Sequence, residues 1–382
     1  MPLQLFSFIT SNVFSQETPE EAYKRIRALR KEQGKSEEAV QQALTFLQEH
    51  TIKDSVRQKI HYEYGAALFQ QNKFAEAKTA FETLISDYKD TTIDKSSEDF
   101  FVDDAQYFTA IIEQTQGEKD IDKAINKYKK VIENFPQSNR CANTFVTLGD
   151  LHRQKEKWSD SIYYYYKAAD NYSNDKTLAP SALFWANRVL IDNIDNSQRK
   201  MLDPRIKDDQ VVNKKDEIVK NIERVKKDYS ENEKLPSMLQ DYIVYLIWRP
   251  SEENNKELES TCYYLIEKYP GSSYAKYAKE ELIDTMSLSE SKELQGLAAD
   301  LIEEELAESE AHKDLDRTVN LLYAKGRLLI KQNNYEEAKK IFKQSINDYP
   351  DNTIVYEFRF QIAICYYKLK QHNEARDIFV AL

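Results

Sequence analysis

Glycine and proline are scarce in this chain, seven and nine among 382 residues. That excludes collagen-like and low-complexity classes and favours long uninterrupted helices. The few glycines form neither GxGxxG nor a P-loop, so no phosphate cradle is encoded. Three cysteines, Cys141, Cys262 and Cys365, lie far apart with no CxxC pair; they read as small buried hydrophobes and do not assign a compartment. The five histidines, His50, His61, His152, His312 and His372, include no HExxH and no zinc spacing. No GxSxG occurs. Basic runs are absent too. The net charge is −11, and no Lys/Arg stripe interleaves with rings, which argues against nucleic-acid binding. No apolar run is long enough to span a bilayer.

Tyrosine, by contrast, is abundant, with 25 copies. Rings also mark the strongest signal in the chain. Four stretches repeat one order of residues: Tyr64 to Phe81, Leu148 to Tyr165, Lys325 to Phe342 and Ile362 to Phe379. A small residue stands second (Gly65, Gly149, Gly326, Ala363). Nine positions later comes a ring (Phe74, Trp158, Tyr335, His372). A second small residue follows three further on (Ala77, Ser161, Ala338, Ala375), and an aromatic four after that (Phe81, Tyr165, Phe342, Phe379). Glycine inside a helix costs about 1 kcal/mol against alanine, so its recurrence implies a close approach between two helices. The second helix of a unit ends in an aromatic-proline pair at Phe135-Pro136, Tyr269-Pro270 and Tyr349-Pro350, because proline cannot continue it. Polar residues follow that can cap the next helix.

This helix-turn-helix repeat resembles the tetratricopeptide family. The resemblance implies an all-α fold, a right-handed superhelix of antiparallel helical hairpins, with the aromatic filling the groove between hairpins. Weaker units read at Ala105 to Pro136, with a longer turn around Gly117, at Leu239 to Pro270, and at Ala22 to Phe46. Residues 16–190 are expected to form an N-terminal array and 237–382 a C-terminal one. Between them, 191–236 reads as a loop, Asp195 to Gln210, then an amphipathic helix carrying Val211, Ile218, Ile222, Val225 and Tyr229. Leu294 to Leu315 reads as an acidic helix. The array stops about ten residues into a second helix, the pattern of a fragment of a longer protein.

No catalytic, cofactor-binding or metal-binding constellation emerges, so a non-catalytic scaffold without cofactors is expected. Glu308 and His312, four apart on a helix, read as a solvated ion pair. His372 reads as packing. In the run Tyr163 to Tyr166, Tyr165 is expected in the core and the others on flanks. The resemblance places ligand contacts on the concave face lined by first helices. By register these are Lys59, Tyr62, Ala66 and Phe69; then Asn143, Val146, Asp150 and Arg153; then Asn320, Tyr323, Arg327 and Ile330. The expected partner is a protein or peptide in that groove. The repeated Lys and Asn set of carboxylate-clamping relatives is not present in full.

A narrower resemblance rests on YPGSSYAKYAKEEL, Tyr269 to Leu282, with echoes at FPQSNRCANTF and YPDNTIVYEF. It is similar to repeats of the bacterial envelope branch, the outer-membrane assembly lipoproteins and Tol–Pal coordinators. It implies a periplasmic or outer-membrane-associated scaffold peripherally attached to an envelope complex. Residues 1–15, apolar and closing on Val13-Phe14-Ser15, fit a truncated secretory signal, although no Lys or Arg precedes Lys24. The alternatives are a cytoplasmic regulatory or chaperone adaptor of the same fold, or the docking arm of a longer multidomain protein.

Overall fold

A computed structural model describes residues 17–88, 100–116, 121–202 and 215–382. Every element among them is an α-helix. The chain divides into two compact units, the first ending at Asn232 and the second beginning at Glu233.

The first unit holds α1 (Pro19–Lys31), α2 (Ser36–Glu49), α3 (Ser55–Gln70), α4 (Phe74–Tyr88), α5 (Val102–Gln116), α6 (Ile121–Asn134), α7 (Arg140–Gln154), α8 (Trp158–Asn171), α9 (Leu178–Leu202) and α10 (Lys215–Asp228). The second holds α11 (Lys234–Ile247), α12 (Glu252–Lys268), α13 (Ser273–Leu288), α14 (Lys292–His312), α15 (Leu315–Lys331), α16 (Tyr335–Asp348), α17 (Val355–Lys368) and α18 (His372–Ala381). Odd-numbered helices open a hairpin and even-numbered helices close it. Within each unit, successive odd-numbered helices also pack on one another, α3 on α5 and α13 on α15 for example.

Each recurrent glycine marks a seat for a ring. A Cβ on Gly65 would come 2.7 Å from Phe81, one on Gly149 2.6 Å from Tyr165, and one on Gly326 2.2 Å from Phe342. All three rings are fully buried. The aromatic therefore does more than fill the groove between hairpins. It lies on the glycine of its own hairpin, then meets the next one: Phe81 stacks on Phe108 of α5 at 5.5 Å, and Phe342 packs 5.7 Å from Phe358 of α17. Where the small residue is Ala363, the matching ring is not seated. Phe379 is 40% exposed and turns its edge to Phe360.

The four hairpin turns share one backbone. Asn72, Glu156, Asn333 and Lys370 all adopt φ between 56° and 63°. The next amide in each turn bonds back to a carbonyl five residues earlier: Lys73 to Leu68, Lys157 to His152, Asn334 to Leu329 and Gln371 to Tyr366. This is the Schellman closure of a helix end. The rings at Phe74, Trp158, Tyr335 and His372 each open the second helix. His372 is exposed, set edge-on to Tyr367, so it contributes less packing than the pattern predicts.

Junctions between hairpins also repeat. After Phe135, Tyr269 and Tyr349, the amide three residues on returns to the aromatic's carbonyl at 2.9–3.2 Å. Tyr172 and Tyr229 make the same turn without a proline. Ser272 caps α13 by accepting from the Ala275 amide.

The weaker units take the expected places. α1 and α2 form the first hairpin, with Ala22, Tyr23, Ile26 and Ala43 packed around Ile60. Ile218, Ile222, Val225 and Tyr229 give α10 and its end a buried stripe, while Val211 lies outside the described residues. The segment from Asp195, expected as a loop, is helical as far as Leu202. α9 continues to Leu202, two residues before Pro204, because no glycine or proline interrupts it between Pro180 and that point. Residues 203–210, the segment 1–15 and Gly117 lie outside the described residues.

The acidic stretch of α14 contributes one buried carboxylate. Glu305 sits between Lys279 of α13 and Arg317 of α15 and bonds to both. Burying an ion is costly unless it is paired on this scale, so the triad joins three successive helices only when all members are present.

Candidate peptide-docking face

The resemblance places the expected ligand contacts on the first helices of the hairpins. At α3 those positions are already filled from within. Lys59 is buried, with its ammonium 3.6 Å from Glu20 and 5.3 Å from the Tyr23 ring. Tyr62 is buried and stacks on Phe101 at 4.9 Å. Phe69 packs edge-on against Phe74 and Phe108. Ala66 is buried as well. Contrary to the expectation of an open face, side chains of α1 and α4, together with Phe101 just before α5 and Phe108 within it, cover the positions that register assigns to a ligand.

At α7 the outcome is mixed. Asn143 is exposed and Val146 half-buried. Asp150 accepts a 2.6 Å hydrogen bond from the Tyr165 hydroxyl, which fixes the buried ring through its only polar atom. Arg153 lies 5.0 Å over the Trp185 ring. Asp150 and Arg153 thus hold α7 to α8 and α9. The tyrosine run behaves as predicted: Tyr165 is buried, Tyr163 exposed, Tyr164 stacked on His152, and Tyr166 accepts from Asn221.

At α15 the register does assemble a cleft. Asn320, Tyr323 and Arg327 face Glu280, Glu281 and Asp284 of α13 across a cavity of about 230 Å³. Ile330 is half-buried among the packed apolar residues of the second unit. Asn320 is exposed. Tyr323 rests on Phe342 and Phe358, and its hydroxyl accepts from Gln361 at 3.1 Å. Arg327 lies 3.5 Å from Asp284 and 5.7 Å from the Tyr323 ring. Burial raises the Glu280 and Glu281 carboxyls above their usual range. Asp284 adds repulsion to both, Arg317 draws Glu280 back, and the Tyr277 hydroxyl draws Glu281 back. The cleft offers carboxylates, an amide, a guanidinium and a ring edge, a mixture suited to a polypeptide.

The acidic wall of this cleft was missed in the sequence. The α13–α14 hairpin carries no glycine–aromatic signature, so its register could not be set from the repeat.

The expected Glu308–His312 ion pair is replaced by other contacts, and the cysteines are packed. His312 Nδ1 lies 2.8 Å from the Glu308 carbonyl, while the Glu308 carboxylate sits 3.9 Å from Arg317. All three cysteines are free and buried; burial raises Cys141 and pushes Cys262 up to about 12 and Cys365 up to about 11. Such thiols are poor nucleophiles. Among the described residues, no group of His, Cys, Asp and Glu is placed to hold a metal ion, and no helix is long and apolar enough to cross a membrane.

Comparison with known proteins bears on the repeats. Residues 61–91 and 105–138 match a tetratricopeptide repeat family model. The chain carries tetratricopeptide repeats. Residues 302–382, from within α14 through α18, match the model for anaphase-promoting complex, cyclosome, subunit 3. These stretches together span less than half of the sequence. No curated protein matches it. Among solved structures, a tetratricopeptide repeat protein from Parabacteroides merdae is similar at 12% identity and TM-score 0.37, over 79% of this chain and 96% of that one. The human IFIT1 dimer with PPP-AAAA is similar at 12% identity and TM-score 0.29, over 96% and 72%. Naa15/Naa10 bound to HypK-THB is similar at 14% identity and TM-score 0.31, over 94% and 62%. Values this low carry no argument about ligand or activity.

Proposed function

We propose that this tetratricopeptide array is a non-catalytic scaffold that docks a polypeptide partner, and that the α13–α15 cleft is one contact site. The observation that carries the reading is the convergence of Asn320, Tyr323 and Arg327 with Glu280, Glu281 and Asp284 in one cavity. An exposed amide and a partly exposed guanidinium can pair with a peptide backbone or carboxylate, and the carboxylates with a basic side chain. The match of residues 302–382 to a family named for a subunit of a multi-protein complex supports an assembly role.

The test uses purified full chain as bait in extracts of the source cell. Asn320→Ala with Arg327→Ala is the cleft variant. Tyr323→Ala is avoided because its ring supports Phe342 and Phe358, so its loss would disturb packing. The control is Glu336→Ala with Lys340→Ala on the exposed side of α16. Partners should fall away from the cleft variant and persist on the control. The reverse result would overturn the assignment.

The compartment enters as a proposal on the YPGSSYAKYAKEEL turn: a scaffold of the bacterial envelope, periplasmic or associated with the outer membrane. Its test is fractionation of the source cell, and recovery with cytoplasmic markers alone would favour the cytoplasmic adaptor.

A further inference from the structure

A second cavity of about 480 Å³ opens in the same unit, between the end of α11, the start of α12 and the end of α13. Its floor is aliphatic: Ile247, Leu258, Leu288 and Leu294. The apolar surface extends past the rim. Trp248, next to Ile247, is 67% exposed and Leu288 is 55% exposed. Leu297, one turn beyond Leu294 on α14, is also exposed. Large apolar side chains gathered around a groove mark an interaction surface, whereas scattered ones do not.

The rim is predominantly acidic. Glu252, Glu259, Glu281 and Asp284 line the cavity against a single ammonium, Lys256, which is bound 2.8 Å away to Glu252. Glu281 is already pushed toward protonation by burial and by the carboxylates beside it. A cation brought against that carboxyl relieves the repulsion. An acidic partner would add to it.

We infer that this groove binds a basic amphipathic helix from a partner protein, with aliphatic side chains on the Ile247–Leu288 floor and Lys or Arg on the Glu252–Glu259 rim. An amphipathic helix meets the two requirements at once, because one face is apolar and the flanks carry the cations. The reading goes beyond the α13–α15 cleft. Glu281 and Asp284 line both cavities, but Ile247, Leu258, Leu288, Glu252 and Glu259 line this one and not that cleft, so substitutions confined to them let either site fail while the other stands.

The probe is a synthetic amphipathic helix of leucine and lysine, with a leucine and glutamate peptide of matched length and pattern. Trp158→Phe with Trp185→Phe leaves Trp248 as the only indole, and its emission reports the rim. The lysine peptide is expected to shift Trp248 emission to the blue with saturation, and the glutamate peptide to leave it unchanged. Glu252→Gln with Glu259→Gln should weaken the lysine peptide about tenfold and flatten its salt dependence. Leu288→Ser should weaken it without changing the salt dependence. Glu336→Gln with Glu337→Gln removes the same charge from α16 and should leave affinity unchanged. Equal loss from the α16 pair would mean nonspecific attraction to an acidic protein and overturn the proposal. So would equal binding of both peptides, or no saturable shift.

Discussion

Alanine substitution at two glycines of the second unit should change stability in opposite directions. Gly296 lies inside α14 with nothing within 4 Å of its missing Cβ. Gly296→Ala should therefore gain the helical preference of alanine, up to about 1 kcal/mol. Gly326 in α15 has the same intrinsic preference, but an added Cβ would sit 2.2 Å from both Cε1 and Cζ of Phe342. Carbon atoms in contact prefer about 3.5–4.0 Å, so the ring must retreat by more than 1 Å. It cannot retreat freely: Phe342 is fully buried, with Phe358 at 5.7 Å and Tyr323 at 6.2 Å. Overpacking of this kind costs about 1–3 kcal/mol. Against the propensity gain, Gly326→Ala should come out net destabilising by up to about 2 kcal/mol. Urea unfolding followed by helical circular dichroism reads both variants. Phe342→Leu, placed in the Gly326→Ala background, should cost less than it does alone, because the smaller side chain vacates the clash. If Gly326→Ala stabilised the protein as Gly296→Ala does, the ring-on-glycine account of the hairpin would be refuted.

Three further outcomes are expected. Removing the buried carboxylate in Glu305→Gln leaves Lys279 and Arg317 facing each other, and should cost about 3–5 kcal/mol in chemical unfolding; a neutral result would mean that water reaches the triad. Burial holds His61 neutral, its pKa lowered to about 4, with Arg57 acting in the same sense and Asp87 opposing. The unfolded chain takes up that proton first, so the contribution is complete above about pH 6.5 and declines as pH falls toward 4, by roughly 3 kcal/mol, and His61→Leu should flatten this part of the pH–stability profile. Glu156→Gly should raise stability by about 1 kcal/mol, since glutamate is strained at φ 56°, and thermal unfolding should show a smaller change for Asn72→Gly because asparagine already tolerates that geometry.

The repeat was legible because two constraints act over fixed distances. A glycine seat and its ring stand sixteen positions apart, so Gly65, Gly149 and Gly326 could be read with their rings. The turn closures could not, because Asn72, Glu156, Asn333 and Lys370 share a backbone conformation rather than a residue type. Junctions were half visible. Proline drew attention to Phe135, Tyr269 and Tyr349, yet Tyr172 and Tyr229 make the same turn without one, so the ring and not the proline is the constant element. Which first-helix side chains stay open was the least legible. Register assigns Tyr62 and Tyr323 the same place on their helices, but Tyr62 is covered by Phe101 whereas Tyr323 keeps an edge toward an open cleft. That difference depends on what a neighbouring helix places opposite, which one helix alone does not encode. Glu280, Glu281 and Asp284 lie in a hairpin without the glycine–aromatic pair, so the repeat could not set their register either.

The pairing of each glycine with a ring inside its own hairpin bears on how such a chain can change over generations. A hairpin cut out at the aromatic junctions, between Phe135 and Tyr172 for instance, takes Gly149 and Tyr165 with it. Duplication, deletion or exchange at those junctions keeps every seat matched to its occupant. Recombination within a hairpin separates the two and can leave a ring against a β-carbon. The architecture thus favours breakpoints at its aromatic turns, and libraries shuffled there should yield folded arrays more often than libraries shuffled at the αL turns.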